Sequence, residues 1–165
     1  MKLPLLKKTI IIAVLLGFSL AVHAEASVIS FYVVETGLPF EAARNRNSQL
    51  WENAFMDVFF DSGYIVSNYP MMRLSSKPQG SIIEASCFDA DEAKDAGIDY
   101  ILIARLDYDN ALLPPGEIIF YIFRVDNHQV IYEKKIAGIA NKPEKDSYED
   151  MKGIIRELVG FVTNF

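Results

Sequence analysis

Residues 96–110, AGIDYILIARLDYDN, constrain the fold more than any other stretch of this chain. Gly97 follows a polar helical run at 91–96 and is the residue best able to take the positive φ that closes a helix. The side chains then alternate. Tyr100, Leu102, Ala104, Leu106 and Tyr108 fall on one face of a strand, and Ile101, Ile103, Arg105 and Asp107 on the other. The first face is core. The second is apolar at its start and charged at its end.

Other elements are arranged around this strand. Residues 27–36, SVISFYVVET, are rich in β-branched and aromatic side chains and predict a first strand, followed by a turn at 37–40. From Ser48 the period changes: Leu50, Trp51, Ala54, Phe55, Val58 and Phe59 form one broad helical stripe that ends at Gly63. Trp51 and the phenylalanines of that stripe read as core. A short strand at 64–69 follows directly, so the first two strands are expected to be parallel. Residues 70–80 read as a loop, 81–86 stay unassigned, and Asp89 with Glu92 has capping-box spacing ahead of the short helix before Gly97.

After the long strand, NALLPPG at 110–116 forms a loop stiffened by paired prolines, with Leu112 and Leu113 at its tip. Residues 117–125 and 130–139 predict a hairpin with Asn127-His128 at the turn. That register sets Val125 opposite Val130, Phe123 opposite Tyr132 and Ile119 opposite Ile136 on one apolar face. It leaves Ile118, Phe120, Ile122 and Arg124 on a mixed, partly solvated face, and a slip of one residue would exchange the two. Residues 141–146 read as a linker, and Ser147 with Asp150 as the opening of a last helix whose stripe is Met151, Ile154, Ile155, Leu158, Val159 and Val162. The order β-α-β-(α)-β-β-β-α implies an α/β (α+β) sandwich: a mixed sheet of about five strands with helices mainly on one face.

The amino terminus has the form of a secretory signal peptide: Lys2, Lys7 and Lys8, an apolar run at 9–20, then Val22-His23-Ala24. Cleavage is expected between Ala24 and Glu25, with Ala26 as a second site. The run is short for a bilayer span, which needs about 20 residues, and no cysteine near the site offers a lipid anchor. Removing 1–24 leaves 25–165 as a single domain of 141 residues. The leader holds three lysines and no acid, so the net charge passes from −6 to −9. An acidic chain without a basic stripe argues against nucleic acid and anionic membrane surfaces. Cys87 is the only cysteine, so no internal disulfide forms, and its neighbours in SCFD are acidic where a reactive thiol needs a base.

No catalytic, cofactor or metal signature emerges. Asp107, Asp109 and Asn110 place oxygens at a strand end but fall short of a calcium loop, and read as a solvated terminus. His128 is the one histidine after leader removal and reads as a surface turn residue. Asp89, Asp91, Glu92 and Asp95 complement a helix dipole. The feature that points outward is apolar: Ile101, Ile103, Ile118, Phe120 and Ile122 are expected to form a patch on the sheet face away from the helices, joined by the Leu112-Leu113 loop.

Three stretches carry a resemblance: the first strand ending at Leu38-Pro39-Phe40, the helix at 48–62 leading into Gly63-Tyr64-Ile65-Val66, and AKDAGIDYILIARL at 93–106. With the looser match of the closing hairpin at Val125-Asp126-Asn127, the chain resembles the superfamily of bacterial envelope domains that includes the TolB amino-terminal domain, LpoB and CsgG. The chain departs from them in having no lipobox cysteine and no following propeller. The resemblance implies a periplasmic, non-enzymatic adaptor or assembly domain that binds another envelope protein or itself, with no cofactor and no stable membrane insertion. The alternative is a small-molecule or lipid binder with a pocket between the 48–62 helix and the sheet.

Overall fold

The computed structural model describes residues 26–39, 45–76, 89–139 and 143–163. The leader with its Ala24/Glu25 cleavage site, the unassigned 81–86 stretch and Cys87 lie outside the described residues. The elements are β1 (Val28–Thr36), α1 (Arg46–Asp61), β2 (Ile65–Asn68), β3 (Met72–Leu74), α2 (Ala90–Asp95), β4 (Tyr100–Asp107), β5 (Glu117–Arg124), β6 (Gln129–Ala137) and α3 (Glu144–Val162). They form a mixed sheet in the order β2-β1-β4-β5-β6, with β3 also alongside β1. The β1 strand pairs in parallel with β2, β3 and β4, while β5 and β6 are antiparallel additions.

One face of the sheet is covered by α1 and α3. The alternation of β1, β4 and β5 delivers Ile29, Phe31, Val33, Leu102, Ala104, Leu106, Ile118, Phe120 and Ile122 to this layer. Leu50, Trp51, Phe55 and Phe59 of α1 and Met151, Ile155, Leu158 and Val162 of α3 close over them. Phe55 stacks between Phe31 and Phe59, with centroids at 3.9 and 4.4 Å, and Trp51 meets Phe120 edge-on at 5.3 Å. Each such buried side chain stabilises by about 1.5–3 kcal/mol relative to exposure, so this layer holds the domain together. The opposite face carries a second cluster, Tyr32, Val34, Ile101, Ile103, Ile119, Tyr121 and Phe123. Ala93 of α2 lies in it, with Tyr69, Met72 and Leu74 packed against it.

The structure departs from the sequence reading at three elements. The hairpin turn spans four residues, Val125 to His128, with His128 at φ 56°, so Arg124 pairs with Gln129 and Phe123 with Val130. A bulge then carries the register to Ile122–Tyr132 and Ile118–Ile136. This is a one-residue slip from the expected hairpin register, and pairing of Ile122, Phe120 and Ile118 with Leu102, Ala104 and Leu106 of β4 makes these three core under the helices. Within the expected loop at 70–80, Met72–Leu74 forms β3, because the chain resumes pairing with β1 once past Pro70. The last helix begins at Glu144 behind Pro143. It takes in residues read as linker, and Ser147 is a buried position inside it instead of its cap. Proline at the entry and acids at Glu144 and Asp146 suit a helix amino end.

Candidate docking site at the carboxyl ends of the parallel strands

Open sheets of this kind expose their connections at the carboxyl ends of the parallel strands. Here the ends of β1 and β4 are tied by buried ions. Glu35, fully buried, accepts from the Arg73 guanidinium, Nε at 2.9 Å, and from the Asn45 backbone N–H at 3.2 Å. On the other face Thr36 Oγ1 donates to Asp107 at 2.6 Å, and Arg105 forks onto the same carboxylate with both contacts at 3.0 Å. Glu117 extends the chain of charges, 3.6 Å from Arg105 and paired to Lys135. Asp107 is 1% exposed, so the expectation of a solvated strand end is corrected: a cation one strand step away neutralises it.

Above these ions the 108–116 loop is fixed at several points. Asn45 caps α1 through its side-chain oxygen and donates its amide to the Ala111 carbonyl at 2.9 Å. Asn110 accepts from the Leu112 N–H at 2.8 Å, an Asx turn. Gly116 N–H reaches the Asp107 carbonyl at 2.8 Å, and Gly138 N–H reaches the Gly116 carbonyl at 3.0 Å. A β-carbon on Gly138 would lie 1.6 Å from the Pro115 oxygen, so only glycine allows the segment after β6 to lie this close. Tyr108 and Ser48 share a buried hydrogen bond at 2.9 Å, and burial pushes the Tyr108 phenol far above its ordinary range.

This scaffold displays Leu112, 91% exposed, and Leu113, 51% exposed. Beside the loop lies a cavity of about 130 Å³, with Leu50, Trp51, Pro115, Ile139 and Met151 among its walls. Among the described residues the Trp51 indole N–H has no hydrogen-bond partner. Arg46 and Glu144 join the first turns of α1 and α3 across its rim, at 2.6 and 3.1 Å. Their hydrogen bond, reinforced by charge, raises the Arg46 pKa and lowers that of Glu144.

Of the residues expected to form an outward patch, the structure places Leu112 and Leu113 at the surface and the other five inside. Ile101 and Ile103 are buried in the second cluster, and Ile118, Phe120 and Ile122 in the helix-covered layer, so the five share neither a face nor exposure. The sequence reading missed Arg46 and Glu144. The available signal was Pro143-Glu144, a proline–acid helix entry. Among the described residues no group of three His, Cys, Asp or Glu side chains is placed to hold a metal ion. None of the helices among the described residues is long and apolar enough to cross a membrane.

The class these features define is an α/β sandwich with a mixed sheet and two long helices on one face. Within that class the chain belongs to the family described as "Uncharacterised protein", whose profile matches residues 28–118, from β1 into β5. No curated protein matches the chain. Among solved structures it is similar to PelC of the Paraburkholderia phytofirmans dodecamer, at 10% identity and TM-score 0.49, over 79% of this chain and 86% of that one. It is also similar to TolB from Acinetobacter baumannii, at 14% identity and TM-score 0.43, over 82% of this chain and 29% of that one. The third is the LpoB C-terminal domain from Escherichia coli, at 14% identity and TM-score 0.43, over 70% and 84%. TolB and LpoB are two of the proteins whose domains the sequence resembles, and the likeness is one of fold.

Proposed function

We propose that this protein is an exported, non-enzymatic adaptor or assembly domain that binds another cell-envelope protein, or a second copy of itself, through the Leu112-Leu113 loop. The observation that carries this reading is the loop's construction. A leucine held 91% in water on a segment fixed by an Asx turn, two prolines and the Asn45 amide pays its solvent exposure without the freedom of a mobile loop. Such preorganisation lowers the entropy lost on docking. The signal-like leader supports a periplasmic location. The cavity beside the loop, about 130 Å³, has the size of one side chain, which suits a side chain of a protein partner.

The test is photo-crosslinking in cells with the probe at Leu112 and a control probe at Asp95 on α2. A discrete envelope protein, or a second copy of this chain, captured from position 112 and not from 95 is the expected result. An abundant, folded protein that yields no adduct from position 112 would overturn the reading.

A further inference from the structure

The Arg46–Glu144 pair divides a groove between α1 and α3. On one side is the cavity of about 130 Å³ at Trp51; on the other is an open depression of about 340 Å³ bordered by Asn53, Lys145 and Tyr148. Arg46, Leu50 and Glu144 line both. We propose that the pair is a displaceable strap and that the groove binds an acidic, leucine-bearing segment of the partner, whose carboxylate takes the Arg46 fork from Glu144 while its apolar side chain fills the cavity at Trp51. The proposal rests on the docking reading above and gives the partner its chemistry.

Charge complementarity selects this occupant. The chain is acidic, with a formal net charge of −6, yet the groove presents Arg46 and Lys145 against one carboxylate, Glu144. An acidic segment is repelled by most of the molecule and attracted here. The exchange replaces one carboxylate by another on a planar fork, so the geometry of the bond is kept. The side chains of the pair are 64% and 55% exposed, and ion pairs so open to water stabilise little, so displacement meets little resistance. Released Glu144 stays in the first turn of α3, a position the helix dipole favours. The cavity is close to the roughly 150 Å³ that accommodates a benzene-sized group, which fits one leucine.

Trp51 is the only tryptophan, so its fluorescence reports this cavity directly. The experiment titrates the leader-free protein with a capped pentapeptide carrying leucine between two glutamates, and with its glutamine counterpart. Saturable change in emission with the glutamate peptide, about tenfold weaker with the glutamine peptide, is expected. Arg46→Ala should abolish the response, and Glu144→Gln should tighten it several-fold by removing the internal competitor. A purely structural ion pair predicts the opposite pattern: both variants lower the melting temperature and neither separates the two peptides. Equal response to the two peptides, unchanged or weaker binding by Glu144→Gln, or no response at all would overturn the proposal. If the Leu112 adduct persists in cells bearing Arg46→Ala while the peptide result is negative, the groove assignment fails and the docking loop stands. If the adduct itself is missing from the unaltered protein, the docking reading fails.

Discussion

Asp107 accepts from Thr36 and from both arms of the Arg105 fork while almost wholly out of water. Asp107→Ala strands Arg105 in a buried site where, among the described residues, Glu117 at 3.6 Å is left to answer it. Removing one partner of a buried pair costs about 3–5 kcal/mol, and urea denaturation should show a loss of that size. Gly37, at φ 80°, stands where an added β-carbon would lie 2.1 Å from the Tyr108 oxygen. Gly37→Ala is therefore expected to lose at least about 2 kcal/mol by the same assay, from backbone strain and displacement of the 108–116 loop. Tyr148 donates to Asp57 at 2.7 Å, and burial, followed by that carboxylate, pushes its phenol to about 12. The folded chain thus keeps this proton where an unfolded tyrosine, at about 10, has lost it. Stability from this group is intact below pH of about 10 and falls as pH rises toward 12. Tyr148→Phe should flatten that alkaline limb of the stability curve.

Legibility in the sequence followed local chemistry. The α1 stripe, the Asp89 cap, the Gly63 and Gly97 stops and the strand at β4 are all written in side chains that act within one element, and the structure places them as the pattern implies. What failed was decided between elements. The β5–β6 register depends on a turn two residues longer than Asn127-His128 suggests, since His128 takes the left-handed conformation at the end of a four-residue turn. The false outward patch came from the β4–β5 pairing, which sets Ile122, Phe120 and Ile118 opposite Leu102, Ala104 and Leu106 on the helix-covered face and not beside Ile101 and Ile103. His128→Gly should relieve the left-handed conformation and raise stability by about 1 kcal/mol, offset by loss of an exposed contact to Asp91 at 3.4 Å and of the ring contact to Phe123, and thermal unfolding would measure it. The candidate site was half legible: Leu112 and Leu113 between an asparagine and two prolines were readable as a displayed loop. The Arg46–Glu144 strap was not, because it joins residues 98 positions apart, and Pro143-Glu144 marks a helix entry without naming a partner.

At the scale of the whole molecule, both margins of the sheet are protected. On one side the edge is split into β2 and β3 around Pro70, and on the other β6 carries Glu133, Lys134 and Lys135, which oppose strand-on-strand stacking. On the proposed docking reading, the end of the sheet that bears Leu112 is left for contact with another protein. β1, an interior strand of the sheet, is also the first of the described elements in chain order. β1 finds its longest partner, β4, across a separation of 71 residues, and its nearer partners are only four and three residues long. Loop closure over that distance must precede the contacts that reward it. The nascent polypeptide therefore stays open until most of its length is available, a delay that sheet order alone supplies and that the proposed export would use.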